Sequence, residues 1–165
     1  MVGDGRVRLR GLRDVIDYYT VYGIAPFNWI REGELLASIY PPDLDYLRFL
    51  YREGIRSAIN LDPRPWPTHW AEETSLDYLH LPTVDMSVPT AEQIEEGLDF
   101  MRENLKKGGV MVHCIAGLGR SGTLIALFLV REGMDPRDSI ELVRSRREGS
   151  IQSSSQERTI LDFNR

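Results

Sequence analysis

The stretch His113-Cys114-Ile115-Ala116-Gly117-Leu118-Gly119-Arg120-Ser121-Gly122 contains the only cysteine of the 165-residue chain. Before it stand Val110-Met111-Val112, apolar at every position, as suits a central strand covered on both faces. After it, Thr123 to Arg131 reads as a buried helix. A thiol at the carboxyl end of such a strand occupies the crevice where open α/β sheets place ligands. The following helix turns its positive end toward the same spot, and the glycines let the intervening backbone curl until several N–H groups converge. An ordinary thiol is only roughly 3% ionised at neutral pH, whereas a helix N-terminus and a nearby cation favour the thiolate. Cys114 is therefore expected to be a nucleophile on the floor of an anion cradle.

Arg120 begins the helix six positions later, where its planar fork can meet two oxygens of a tetrahedral phosphate. A cation at a helix N-terminus is unfavourable unless an anion is expected there, so its placement is itself a sign of a phosphate site. Thiolate, amide ring and bidentate cation together describe phosphoryl transfer through a cysteinyl-phosphate intermediate. Breaking an ester also requires a proton on the leaving oxygen, so a general acid must reach the cradle from another segment. Asp43, Asp62 and Asp77 all lie near strand ends or turns.

The surrounding elements are those of an α/β domain, a single, mostly parallel central sheet flanked by helices. Two short strands joined around Gly33 occupy Asn28 to Tyr40, and Pro41-Pro42-Asp43 opens a helix through Arg52 that Gly54 stops. Ile55 to Leu61 is a strand that breaks at Asp62-Pro63-Arg64-Pro65-Trp66-Pro67. Leu76 to Val84 is strand-like, and Thr90-Ala91-Glu92-Gln93 is a capping box for a helix to about Lys107. Asp135-Pro136 caps another helix to about Arg147, and Ser153-Ser154-Ser155-Gln156 caps a last one. Leu9, Leu12, Ile16 and Tyr19 recur at helical spacing, so residues 1–27 are expected to form a helical arm and residues 28–165 the catalytic domain.

Composition narrows the partners. A net charge of −5 argues against nucleic acid bound through bulk charge, so any anion must be met locally. No apolar run approaches the roughly 20 residues that cross a bilayer, and a single cysteine excludes an internal disulfide. These features suggest a cytoplasmic protein without membrane partners, expected to be a monomer. The cations are 18 Arg against 2 Lys, a loose hint of a thermophilic origin.

His113 to Gly122 resembles the signature loop of the cysteine-based protein tyrosine phosphatases, in which Cys and Arg are five residues apart and His precedes Cys. Two further segments resemble the small atypical dual-specificity branch of that superfamily: His80-Leu81-Pro82-Thr83-Val84-Asp85-Met86-Ser87-Val88-Pro89, with Asp85 29 positions before Cys114, and Gly149-Ser150-Ile151-Gln152-Ser153-Ser154-Ser155-Gln156. By element order the resemblance runs from about Asn28 to the C-terminus. It implies a phosphatase fold in which Cys114 attacks phosphorus, Arg120 clamps the phosphoryl oxygens, and Asp85 serves as acid and then base. It further implies that the backbone of Ile115, Ala116, Gly117, Leu118, Gly119 and Arg120 binds phosphate, that Ser121 hydrogen-bonds the sulfur, and that Gln152 or Gln156 positions water. It implies no metal or organic cofactor, and a phosphorylated protein or peptide as substrate.

Alternatives stay open. Asp62 competes with Asp85 for the acid; Ser121 could cap its helix; Gln156, fourth in its capping box, could face its own backbone. His113 is expected to be a satisfied core histidine that fixes the cysteine's backbone. Trp66, His69 and Trp70 are expected in core packing or loop rigidity rather than a substrate wall, and Arg144, Arg146 and Arg147 on a solvated helix end. Inositol lipids or RNA 5′-phosphates are alternative substrates, disfavoured by a loop interior without Lys, and a phosphate-binding module without turnover is a third reading.

Overall fold

The computed structural model describes residues 23–163, and the helix expected over Leu9–Tyr19 lies outside them. Five strands, β1 (Phe27–Arg31), β2 (Leu35–Ser38), β3 (Ile55–Asn60), β4 (Asp77–His80) and β5 (Gly109–His113), form one sheet in the order β1-β2-β5-β3-β4. Only β1 and β2 pair antiparallel; β2, β5, β3 and β4 run parallel. β5 is central, and all five of its residues are buried.

Among the described residues six helices flank the sheet: α1 (Leu44–Arg52), α2 (His69–Thr74), α3 (Ala91–Asn104), α4 (Gly119–Arg131), α5 (Pro136–Arg146) and α6 (Ser154–Leu161). The β5 side chains alternate between two apolar layers. Val110 and Val112 join Leu98, Leu124, Phe128, Val143 and Ile160 from α3 to α6, whereas Met111 joins Tyr46, Leu47 and Leu50 from α1. That double coverage explains the unbroken apolar run. Among the described residues no helix is long and apolar enough to cross a membrane.

Four helix starts follow their capping signals. Asp43 accepts from the Tyr46 N–H, Asp135 caps α5 ahead of Pro136, and Thr90 and Ser153 form reciprocal capping boxes with Gln93 and Gln156. Three elements depart from expectation. β4 ends at His80 rather than Val84: Pro82 lacks an N–H, and past His80 the pairing is reduced to the Leu81 N–H on the Asn60 carbonyl and the Thr83 N–H on the Leu61 carbonyl. The short α2 was not foreseen, since three prolines precede it and six residues give little periodicity. α4 begins at Gly119, four residues before the apolar run, which places Arg120 and Ser121 in its first turn.

Candidate active site

The site grows from the junction of β5 with α4. Each carbonyl of the intervening loop is held by a donor outside its peptide. The Cys114 oxygen meets His113 Nδ1 at 3.0 Å, and the Ile115 oxygen accepts from the Tyr40 N–H at 2.9 Å. Those of Ala116 and Gly117 accept from Arg147 Nη2 and Nε at 2.9 and 2.7 Å. The Leu118 oxygen accepts from the Gly122 and Ile151 N–H groups. In a trans peptide the N–H of one residue points opposite to the carbonyl of the residue before it. Pinning the carbonyls of residues 114–118 therefore turns the N–H groups of residues 115–119 the other way.

Among the described residues, none of the backbone N–H groups from Ile115 to Ser121 donates to a protein acceptor. A helix start leaves four such groups open, here those of Leu118 to Ser121. Ile115, Ala116 and Gly117 add three more. Gly117 has φ +68°, and a Cβ there would lie 2.2 Å from the Ser38 carbonyl oxygen, so glycine is required for the loop to lie against β2. Open amides at a helix N-terminus form an anion site. Cys114, 3% exposed, stands at its start.

Arg120 is buried and reaches back across the loop. Its Nη1 donates to the Thr83 carbonyl at 2.8 Å, while Nε, also buried, has no partner. Nη2 lies 3.5 Å from Asp85 Oδ1 and 3.7 Å from Asp62 Oδ2, distances of ion pairing rather than tight hydrogen bonds. One edge of the fork is thus fixed, and the Nε–Nη2 edge is available to a tetrahedral anion. Ser121 Oγ is buried without a hydrogen-bond partner, and no side chain caps α4, so its hydroxyl does not serve as a cap.

Both candidate acids reach Arg120, in different environments. Asp85 is 66% exposed at its side chain, on the loop after β4, with Oδ1 accepting from the Met86 N–H. Asp62 is buried. Burial alone would push its carboxyl up, but hydrogen bonds from the Arg64 side chain and backbone, with the charges of Arg64 and Arg120, outweigh this and hold it below the usual carboxylate range. Asp62 is thus a fixed anion beside Arg120, poorly suited to donate a proton.

The two glutamines separate. Gln156 Oε1 accepts from the N–H groups of Gln152 and Ser153, and its Nε2 donates to the Ser87 carbonyl, so it closes its own helix and ties down the Asp85 loop. The Gln152 side chain makes no hydrogen bond among the described residues, and its Oε1 lies so close to Gly119 that a Cβ there would approach within 2.6 Å.

His113 is fully buried between Trp66 and Tyr40. Trp66 Nε1 can only donate, and it donates to His113 Nε2 at 2.9 Å, so the ring proton resides on Nδ1 and points at the Cys114 carbonyl. Burial drives the His113 pKa from 6.5 down to about 4, which keeps the ring neutral. Trp66 stacks between His113 and Tyr78, as a core residue rather than a substrate wall.

Arg147 is the residue that the sequence did not reveal. It was expected on a solvated helix end, yet it is buried, with Nη1 donating to Asn28 Oδ1 at 2.7 Å and the rest of its fork on the loop. Burial lowers its pKa, opposed by the charges of Tyr46 and Cys114. Arg144 is likewise engaged, with the Ser150 and Ile151 carbonyls and Glu157, whereas Arg146 is exposed as expected. No local signal marked Arg147, because its partners Ala116, Gly117 and Asn28 are all distant in sequence.

Residues 25–160 match the family described as PTP-SAK, Swiss Army Knife protein, DSP-PTPase phosphatase domain. The chain is similar to dual specificity protein phosphatase CDC14B of Mus musculus, 28% identical over 162 residues that cover 90% of this chain and 33% of that protein. It therefore spans about a third of that relative's length. Among solved structures it is similar to Tk-PTP in its active form, with a TM-score of 0.73 at 26% identity over 83% of this chain and 96% of that one. PTPMT1 in complex with PI(5)P gives a TM-score of 0.73 at 25% identity over 84% and 94% of the two chains.

Proposed function

The chain belongs to the PTP-SAK family of DSP-PTPase phosphatase domains, and from that premise we propose that it is a phosphoprotein phosphatase acting on phosphotyrosine through a cysteinyl-phosphate intermediate. Phosphoserine and phosphothreonine esters fall within the same chemistry. The observation that carries the reading is the run of seven open N–H groups from Ile115 to Ser121, with an unpaired Arg120 Nε beside it and Cys114 at its start.

In the first step Cys114 Sγ attacks phosphorus, the S–P bond forms as the ester P–O bond breaks, and Asp85 delivers its proton to the leaving oxygen. The open amides and the Nε–Nη2 edge of Arg120 take the equatorial oxygens, whose charge spreads in the transition state. In the second step Asp85 accepts a proton from water as the water attacks phosphorus and the sulfur departs. The Ser121 hydroxyl donates to the departing sulfur, and the Gln152 amide orients the water. Asp62 stays ionised and holds Arg120 in place.

The substrate class draws support from the lip of the site. Val84 and Met86 flank Asp85, Ile115 follows Cys114, and all three are exposed apolar side chains, with Val84 at 73%. Such a lip suits an aromatic ring better than a polyol. A second reading, a phosphoinositide headgroup, is favoured by the likeness to PTPMT1, whose structure holds PI(5)P. Against it, the loop from Ile115 to Gly119 offers no cation. Side-by-side turnover of a phosphotyrosine peptide, a phosphoserine peptide and an inositol phosphate tests the proposal. Highest kcat/KM on the phosphotyrosine peptide is expected; a preference for the inositol phosphate would replace it with the second reading.

A further inference from the structure

The loop between β3 and α2 sets Arg64 among three prolines, Pro63, Pro65 and Pro67. Its backbone is tied at several points. Asn60 Nδ2 donates to the Arg64 carbonyl at 2.8 Å, the Tyr40 hydroxyl to the Pro65 carbonyl at 2.9 Å, and the Arg64 N–H to Asp62 Oδ1 at 3.0 Å. The side chain is held as well. Nε donates to the same Asp62 oxygen at 2.9 Å, and the guanidinium carbon lies 4.6 Å from the centre of the Tyr40 ring. Even so, 62% of the side chain is exposed, and neither Nη forms a hydrogen bond or ion pair among the described residues.

An exposed arginine ordinarily keeps its rotamer freedom. This one is immobilised by a carboxylate and an aromatic face, with its outer fork left open. Both of its anchors touch the phosphate loop: Asp62 Oδ2 is 3.7 Å from Arg120 Nη2, and the Tyr40 N–H donates to the Ile115 carbonyl. Arg64 therefore stands beside the catalytic cleft, one bridging carboxylate away from Arg120.

We propose that Arg64 is a specificity-determining residue that pairs through its two Nη groups with a carboxylate of the substrate, an Asp or Glu flanking the phosphorylated residue. The proposal rests on the phosphoprotein reading above. An open guanidinium fork matches a carboxylate in two parallel hydrogen bonds. A single carboxylate fits better than a second phosphate, because Arg64 and Arg120 already face Asp62 and Asp85, which leaves little positive charge for another dianion.

The test uses phosphotyrosine peptides, neutral apart from the phosphate, that differ only by Asp or Asn at one of the two positions on either side of the phosphotyrosine. At one position the wild-type protein is expected to favour Asp about fivefold in kcat/KM, an advantage that shrinks in high salt. Arg64→Gln should bring that ratio close to one, and Arg64→Glu should shift preference to Lys over Asn at the same position. Each ratio compares two substrates on one protein, so partial loss of folding cancels. A wild-type ratio near one at every position, or a ratio unchanged in Arg64→Gln, overturns the assignment of Arg64 while leaving peptide turnover, and hence the phosphoprotein reading, intact. Failure to turn over any of the peptides, with an inositol phosphate hydrolysed, overturns both.

Discussion

Arg147 Nε donates to the Gly117 carbonyl at 2.7 Å across thirty residues of sequence, from the end of α5 to the middle of the phosphate loop. With Nη2 on Ala116 it holds two successive carbonyls away from the cleft, and so helps to turn the following amides inward. Replacing it with Met would leave those two oxygens and Asn28 Oδ1 without their donor. Each such loss typically costs about 1–3 kcal/mol. Arg147→Met is expected to lower the melting temperature and to weaken vanadate inhibition at least tenfold. Arg147→Lys, which keeps the charge without the fork, should recover only part of the affinity. Unchanged vanadate binding in the folded Met variant would show that the clamp does not shape the loop.

Asp85 and Asp62 approach the same guanidinium group and are expected to behave oppositely. Asp85→Asn should slow esters of poor leaving groups by about 10²- to 10⁴-fold, the usual range for a lost general acid, and p-nitrophenyl phosphate far less. Asp62→Asn should leave the leaving-group dependence as it is while raising KM, because Arg120 loses a fixed counter-charge. A Brønsted series on both variants checks the assignment, and a steepened slope in Asp62→Asn would exchange the two roles.

The glutamines should separate by kinetic step. Gln152→Ala is expected to retard hydrolysis of the phosphoenzyme and so enlarge the burst of released p-nitrophenol. Gln156→Ala removes a capping box worth about 1 kcal/mol and the tie to Ser87, and should lower stability. Stopped-flow bursts and thermal melts on the two variants check this; an enlarged burst in Gln156→Ala alone would reverse the pair.

His113 gives a pH prediction of definite sign. Its native pKa of about 4 lies below its ordinary 6.5, so the unfolded chain takes up the proton first as pH falls. The neutral ring's contribution, up to about 3 kcal/mol, is present above pH 6.5 and is lost as pH falls toward 4. Urea melts should therefore show stability falling over that window, and His113→Asn should flatten part of the fall. A His113 ring titrating near 6.5 by NMR in the folded protein would contradict the burial argument.

How far these relationships could be read from sequence depends on how local they are. The order of strand, loop and helix from Gly109 to Arg131 was readable, though not the helix's start at Gly119, because ten consecutive residues carry the cysteine, the turn glycines and the arginine, and a buried strand announces itself by lacking polar positions. The caps at Asp43, Thr90, Asp135 and Ser153 were readable because a cap acts within four residues. Arg147 was not, since Ala116 and Gly117 lie about thirty positions away and Asn28 farther still, and the loop becomes its neighbour only because α5 packs back along α4. The tie between Trp66 and His113 likewise spans 47 positions, and separation alone could not distinguish Asp62 from Asp85, because what distinguishes them is burial and the partners of each carboxylate.

The central claim is a covalent bond between Cys114 Sγ and phosphorus. Rapid acid quench of the wild-type protein during turnover of p-nitrophenyl phosphate, followed by peptide mass spectrometry, reads that bond directly. The account predicts a phosphate on the peptide containing Cys114, absent from Cys114→Ser and enriched in Gln152→Ala. Steady turnover with no phosphate on Cys114 at any quench time, in the wild type or in Gln152→Ala, would contradict it.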